Sequence, residues 1–281
     1  MAPGLTYVVT GGCGFLGSRI VDMLVEREKN ISEIRVVDTN LRSRPSTADR
    51  AGVEVSLIHG DVTDMAQMTE ACAGADVIIH TASLIDVLGL VSDATLWHVN
   101  VKGIYGDGEM PVLGFYKKRG VGIFTRPMKR VCPPTVKVSR LYVGNVAWAH
   151  LLAAQTLVTS PETAGGEAFY ISDDTPLKDD DTLHAELCAP IGIRYDDNLV
   201  LPLWLLYFIA HVLALVRFLV KPFYTFVPLL NSEILTIQNT TFYVNYNKAT
   251  QLLGYKPLFT WAESKQRTSD WLVKWKAREF S

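Results

Sequence analysis

Hydrophobic and polar positions follow two periods in the first eighty residues. Residues 5–10 (LTYVVT) form a short β-branched run stopped by Gly11 and Gly12, which predicts a buried strand. Over 15–26 the apolar positions Phe15, Leu16, Ile20, Val21, Leu24 and Val25 recur at helical spacing and leave one apolar face. A second strand is expected at 34–37, closed by Asp38, and a third at 53–58, with the polar stretch 40–50 between them as a loop. A short helix follows at 65–73, then a fourth strand at 76–80 that runs into Thr81-Ala82-Ser83. Strands alternating with short helices imply a parallel sheet with crossover connections.

Beyond residue 83 the alternation breaks. A helical segment at 96–101 is followed at once by 103–109, which reads as turn and loop, then by a helix at 113–118 and an aperiodic stretch at 127–138. A helix at 146–157, a strand at 168–172 and a helix at 179–187 come next, the last with acids at its start that suit the positive end of the helix dipole. Residues 199–216 are 18 positions without a formal charge. As a helix they would span about 27 Å at 1.5 Å per residue, close to the hydrocarbon thickness of a bilayer. Trp204, Tyr207, Arg217, Lys221, Phe223 and Tyr224 look like interface anchors, whereas Pro202 and His211 interrupt a clean span. The C-terminal part is polar again, with a helix expected at 261–275.

The whole chain of 281 residues is large enough for a substantial core. Its formal charge of -2 asks for no nucleic-acid partner. Cys13, Cys72, Cys132 and Cys188 form no CxxC pair, so neither a disulfide framework nor a metal site is expected and a reducing compartment suits them. No cleavable leader is expected before the first strand. The triplet Asn239-Thr240-Thr241 fits a glycosylation acceptor, expected to face the cytoplasm unmodified.

The chemistry is concentrated in Thr10-Gly11-Gly12-Cys13-Gly14-Phe15-Leu16-Gly17, a G-x-x-G-x-x-G turn between strand and helix. Gly11 serves the tight turn, Gly14 the close approach of backbone to a pyrophosphate, and Gly17 the packing of helix on sheet. The amides at Phe15 and Leu16 open the helix toward phosphate charge. A lone glycine triplet is weak evidence; its place after a strand, with Asp38 ending the next strand 21 residues after Gly17, makes it strong. A carboxylate at Asp38 accepts ribose hydroxyls and repels a 2′-phosphate, so NAD is the expected cofactor, with Arg35 and Arg42 as the cations that would soften the preference. Asp61-Val62 reads either as an adenine contact or as a helix cap, and Thr81-Ala82 as a stretch lying along the dinucleotide.

Thr10–Gly17, Asp38, Gly60-Asp61-Val62 and His80-Thr81-Ala82 together resemble the extended short-chain dehydrogenase/reductase superfamily. The stretches TGGCGFLG, IIHTAS followed by Asp86, HVNVKG, IYGDGE, RLYVGNVAWAHLLAA, NTTFYVNYNKA and LGYKPLFTWAES resemble the 3β-hydroxysteroid dehydrogenase/Δ5-isomerase family over nearly the whole chain. Their details look most like the branch acting on 7α-hydroxylated C27 sterols in bile-acid synthesis. The resemblance implies NAD-dependent oxidation of a 3β-hydroxy-Δ5-steroid with a shift of the double bond. It also implies an endoplasmic reticulum membrane, in some members a mitochondrial one. A steroid or sterol substrate, the membrane, and a homo-oligomer or full-length family members are the partners expected. Two readings of another kind stand beside it: a non-catalytic, membrane-associated nucleotide-binding partner of full-length subunits, and another extended short-chain reductase.

The family's dehydrogenase step rests on a Tyr-x-x-x-Lys pair, in which residues sharing a helix face let lysine lower the tyrosine pKa. None of the eleven tyrosines here has lysine four residues on. Asn100-Val101-Lys102-Gly103 resembles the helix after the family's fourth strand and Ile104-Tyr105-Gly106 the turn after its sixth, with no residue between Gly103 and Ile104. A parallel crossover needs a dozen or more residues, so the intervening strand, Tyr/Lys helix and strand are expected to be missing, and the loss of apolar burial is expected to weaken the fold. His80, His98, His150 and Tyr105 are the substitutes for the lost base, and each reads more simply as structural. The expectation is therefore an α/β chain with an internally shortened Rossmann-type parallel sheet and a smaller C-terminal substrate and membrane-associated region. Residues 1–103 carry NAD, 104–198 complete the Rossmann and substrate part, 199–224 meet the membrane and 225–281 return to substrate. No catalytic residue and no metal ligand is assigned.

Overall fold

The structure is a computed structural model, describing residues 4–41, 52–82, 104–107, 127–130, 132–200, 202–220, 224, 230 and 232–280. The chain opens with β1 (Leu5–Thr10), α1 (Phe15–Arg27), β2 (Ile31–Asp38), β3 (Glu54–His59), α2 (Met65–Cys72) and β4 (Val77–His80). After these come β5 (Met128–Arg130), α3 (Val143–Thr159), α4 (Asp180–Cys188), β6 (Tyr195–Val200), α5 (Leu203–Val220), α6 (Ser232–Gln238), α7 (Asn247–Leu253) and α8 (Trp261–Phe280). They group into two compact units, each built from separate stretches of chain.

The first unit comprises residues 1–84, 141–173 and 245–260. Its four strands form a parallel sheet in the order β3-β2-β1-β4. Alternation sorts the side chains by face. Tyr7, Val9, Ile34, Val36 and Ile79 pack with Ile20, Val21 and Leu24 of α1 and with Ala147, Leu151 and Ala154 of α3. On the other face Val8 and Val37 pack on Ala71 of α2. Period and sheet type were both readable from the apolar pattern, although β2 begins three residues earlier than expected.

Asn145, in the first turn of α3 and fully buried, ties the 141–173 stretch of this unit to its 245–260 stretch. Its Nδ2 donates to Asp173 Oδ2 (2.8 Å) and Phe259 O (3.0 Å), while its Oδ1 accepts from Leu258 N and Phe259 N, each at 2.9 Å. The strand expected at 168–172 is not formed. Phe169 and Ile171 pack into the cluster around Ala249 and Tyr255, and Ser172 O accepts from Tyr255 Oη at 3.0 Å. The apolar run is thus an extended segment held by side chains rather than by a ladder.

The second unit comprises 85–140, 174–244 and 261–281. β5 pairs in parallel with β6, a strand the polar sequence Tyr195-Asp196-Asp197-Asn198 concealed. The acids at the start of α4 do more than complement its dipole, since all three are buried and each has its own donor. Asp179 accepts from Thr182 N and from Arg130 Nη2, both at 3.0 Å; Asp180 pairs with Arg140; and Asp181 Oδ2 accepts from Cys132 N at 2.9 Å. Burial, with the three carboxylates adding to it, pushes the Cys132 thiol well above its ordinary range.

The long apolar helix starts at Leu203, not at 199, and runs to Val220. Residues 199 and 200 belong to β6, and Pro202 O accepts from Leu205 N and Leu206 N at 2.9 and 3.2 Å. Proline lacks the donor an interior turn needs but fits a helix entry. Leu206 and Ala210 pack on Leu235 of α6. By contrast Trp204 (71% exposed), Phe208 (62%) and Phe218 (73%) point outward. His211 Nδ1 lies 2.6 Å from Tyr207 O, so one ring nitrogen is satisfied within the helix. The sequon residue Asn239 is half-buried, its Nδ2 donating to Leu235 O at 2.8 Å. The helices expected at 96–101 and 113–118 lie outside the described residues, while 104–105, expected as loop, is a two-residue strand.

Candidate functional site

All ten residues expected at the nucleotide lie in the first unit, at the carboxyl ends of β1 to β4, in the turns that follow or in the first turn of α1. That end of an open parallel sheet is where ligands bind. Gly11 N donates to Val37 O at 2.7 Å and Gly14 N to Gly11 O at 3.0 Å, which folds residues 11–14 into a tight turn. Gly11 has φ +68°, and a Cβ there would stand 2.6 Å from the backbone of Ala82. At Gly17 a Cβ would stand 2.2 Å from Gly11 O. At Gly14 it would meet Gly11 O alone, at 3.1 Å, so the turn is open on that side. No side chain caps α1, which leaves the first-turn amides at Phe15, Leu16 and Gly17 to a ligand.

Asp38 stands beside this turn. Its Oδ2 accepts from Cys13 N at 3.1 Å and its Oδ1 from Asn40 N at 3.0 Å. Each carboxylate oxygen accepts more than one hydrogen bond, so capacity for ribose hydroxyls remains. Burial, with the Asp38 charge adding to it, pushes the Cys13 thiol up. Arg35, the cation that would have favoured a 2′-phosphate, is engaged elsewhere. Its Nε and Nη2 donate to Glu33 at 2.8 and 3.0 Å, and its Nη1 to Ala71 O and Ala73 O at 3.1 and 2.6 Å. Arg42 lies outside the described residues.

The two readings of Asp61 separate. The cap of α2 is Asp64, whose Oδ1 accepts from Ala66 N (2.9 Å) and Gln67 N (3.1 Å). Asp61 closes the preceding turn, with Oδ1 accepting from both Thr63 N and Thr63 Oγ1 at 2.8 Å. Those two bonds hold its carboxyl below the usual range. Val62 is exposed beside it. Thr81 N and Oγ1 both donate to Thr10 O, at 3.0 and 2.7 Å, which holds Thr81-Ala82 against the glycine turn.

Of the substitute bases, Tyr105 is buried, its Oη 2.8 Å from Thr175 Oγ1 and its ring edge-on to Trp261. His150 lies on α3 with Nδ1 2.8 Å from Val146 O, and burial lowers its pKa. His98 is outside the described residues. His80 is exposed, with Nδ1 2.7 Å from Thr10 Oγ1, a contact the sequence did not announce. The described residues contain no group of His, Cys, Asp and Glu able to hold a metal ion.

Comparison with known proteins gives this geometry a setting. The sequence model of the 3-beta hydroxysteroid dehydrogenase/isomerase family matches residues 8–106 and 102–203, two stretches that meet at 102–106. The 3 beta-hydroxysteroid dehydrogenase type 7 of Rattus norvegicus is 35% identical, over 324 aligned positions covering 96% of each chain. That of Mus musculus is 32% identical over 357 positions, again covering 96% of each. Both alignments are longer than the 281 residues of this chain. Among solved structures, the UDP-glucuronic acid 4-epimerase from Bacillus cereus, in complex with UDP-glucuronic acid and NAD, superposes with a TM-score of 0.61 at 13% identity. It covers 96% of this chain and all of its own, a likeness of fold.

Proposed function

This chain belongs to the 3-beta hydroxysteroid dehydrogenase/isomerase family, and from that premise we propose that it binds NAD and a 3β-hydroxy-Δ5-steroid or sterol at a membrane but lacks the dehydrogenase base. The observation that carries the cofactor half is the convergence of the glycine turn, Asp38 and Thr81-Ala82 on one edge of the sheet. The open side at Gly14 and the uncapped start of α1 fit a pyrophosphate, Asp38 fits the adenosine ribose, and Asp61-Val62 fits the adenine. When bound, NAD supplies the hydride acceptor. This chain's residues hold and orient it: the amides at Phe15, Leu16 and Gly17 face its negative charge, and Asp38 fixes the ribose while held to the turn by Cys13 N.

The catalytic half is carried by the sequence itself. A proton must leave the 3β-hydroxyl as hydride departs, and the chain has no Tyr-x-x-x-Lys to receive it. Alignments longer than the chain, and family matches that break at 102–106, support an internal shortening between Gly103 and Ile104. Tyr105 and His150 are engaged within their own units and do not replace the pair. The chain is therefore expected to bind nucleotide without turnover.

Replacing Asp38 with serine tests the cofactor assignment. Losing charge-assisted bonds worth about 1.5–3 kcal/mol lowers NAD affinity roughly 10- to 100-fold. NADP affinity falls far less, because the charge that repels its 2′-phosphate goes too. Titration of both nucleotides against both chains reads this. Equal affinities of the unaltered chain for NAD and NADP would contradict the role of Asp38.

Membrane association is supported by α5, whose apolar side chains are mostly outward; endoplasmic reticulum is the location proposed. Changing Trp204 and Phe208 together to serine removes about 1.5–3 kcal/mol of apolar transfer per side chain. The variant should leave lipid vesicles with which the unaltered chain sediments; equal sedimentation of both would place the anchor elsewhere.

A further inference from the structure

We infer that His80 is a positioning residue for the dinucleotide, acting through Thr10 on the Thr81-Ala82 stretch; this rests on the NAD assignment above. β4 is four residues long and stands last in the order β3-β2-β1-β4 among the described strands. Its carboxyl end is where accuracy is needed, because Ala82 comes so close to Gly11 that not even a methyl group fits between them. Ladder bonds to β1 finish with the pair Thr10 and His80. What lies beyond is held by Thr10, whose carbonyl oxygen accepts twice from Thr81, through N at 3.0 Å and Oγ1 at 2.7 Å.

Thr10 is 3% exposed, so its own hydroxyl needs a partner, and His80 Nδ1 meets it at 2.7 Å. Whichever of the two donates, the contact joins the last rung of β1 to the last rung of β4 by side chains as well as backbone. His80 is otherwise exposed, so packing gives no competing reason for an imidazole there. Thr10 is thereby a post with two ties: Thr81 fastened to its carbonyl, and His80 to its hydroxyl. Loosening the second lets the β4 terminus shift against the glycine turn. Sub-ångström shifts there alter the surface on which the dinucleotide lies, while the sheet core from Tyr7 to Val9 is untouched.

The test uses the full chain in detergent, with NAD titration, the melting midpoint without NAD, and hydrogen exchange at the Thr81 amide. His80→Ala should weaken NAD binding about tenfold, the scale of one lost hydrogen bond, with exchange at Thr81 accelerated and the nucleotide-free midpoint lowered by the unpaired Thr10 hydroxyl. His80→Asn, whose amide reaches the position of Nδ1, should restore binding. Thr10→Val should weaken binding to the same degree, and the double variant His80→Ala with Thr10→Val should be no worse than either alone, the signature of one shared contact. Unchanged NAD affinity and unchanged Thr81 exchange in His80→Ala would overturn the inference. So would a lowered midpoint that His80→Asn does not restore, which marks a merely structural histidine. Failure of the unaltered chain to bind NAD would instead overturn the cofactor assignment, and the Thr81 exchange rates would still report on the His80 tie.

Discussion

Gly17→Ala is expected to remove NAD binding to below the range of an ordinary titration, a loss of about 100-fold or more. The reason is geometric. A Cβ at this position would lie 2.2 Å from Gly11 O, 2.7 Å from Gly12 Cα and 2.8 Å from Gly11 C, all of them backbone. A side chain could rotate away; a backbone turn can yield only by moving as a whole. Gly11 is held from the other side by its bond to Val37 O and by Ala82. The added methyl therefore pushes α1 off the sheet and turns its first amides away from the pyrophosphate. Overpacking of this kind costs about 1–3 kcal/mol in stability, so the melting midpoint should fall as well. Gly14→Ala is the comparison: one contact at 3.1 Å makes it mild for folding. A Gly17→Ala chain that binds NAD like the unaltered one would mean the turn is not the nucleotide cradle.

Asn145→Ala is expected to destabilise the first unit by several kcal/mol. The amide is fully buried and uses both donors and its acceptor, making four hydrogen bonds to Asp173, Leu258 and Phe259. Truncation leaves two backbone amides, a backbone carbonyl and a carboxylate oxygen each short of a partner, at about 1–3 kcal/mol apiece when buried. Asp173 keeps its bond from Tyr142 N at 2.9 Å, which limits the loss there. Thermal or urea unfolding reads the change, and a shift under about 1 kcal/mol would show that water replaces the amide freely. Asn145→Asp should restore little, because it removes both donors and sets a second acid beside Asp173.

The nucleotide half of the fold was legible because its signals are local. A strand, a glycine turn, an amphipathic helix and an acid at the next strand end are contiguous in the chain, and Gly11, Gly14, Gly17 and Asp38 fell where their spacing put them. Asp61 was ambiguous because Asp61 and Asp64 are both turn acids before one helix; only their hydrogen bonds show that Asp64 is the cap. Residues 168–172 read as a strand because apolar alternation does not say whether the backbone finds a ladder. Pro202 moved the start of the apolar helix, a local rule that the uncharged run from residue 199 obscured. β6 went unseen because its acids hide the period. The contact between Thr10 and His80 joins residues 70 apart and depends on the register of β1 against β4, which no local pattern carries. The proposed lack of a dehydrogenase base rests on the sequence alone, where a motif confined to one helical turn can be sought at every tyrosine.

If the chain is a nucleotide site without its chemistry, one assay reads both halves at once. The purified chain, kept in membrane or detergent, is incubated with NAD and a 3β-hydroxy-Δ5-sterol while NADH and the conjugated enone are followed together, with a Gly14→Asp chain alongside. NAD should raise the melting midpoint of the unaltered chain and not that of Gly14→Asp, and neither chain should form NADH or enone above the other. NADH and enone formed by the unaltered chain above the Gly14→Asp level would contradict the claim and require a base other than a Tyr-x-x-x-Lys pair.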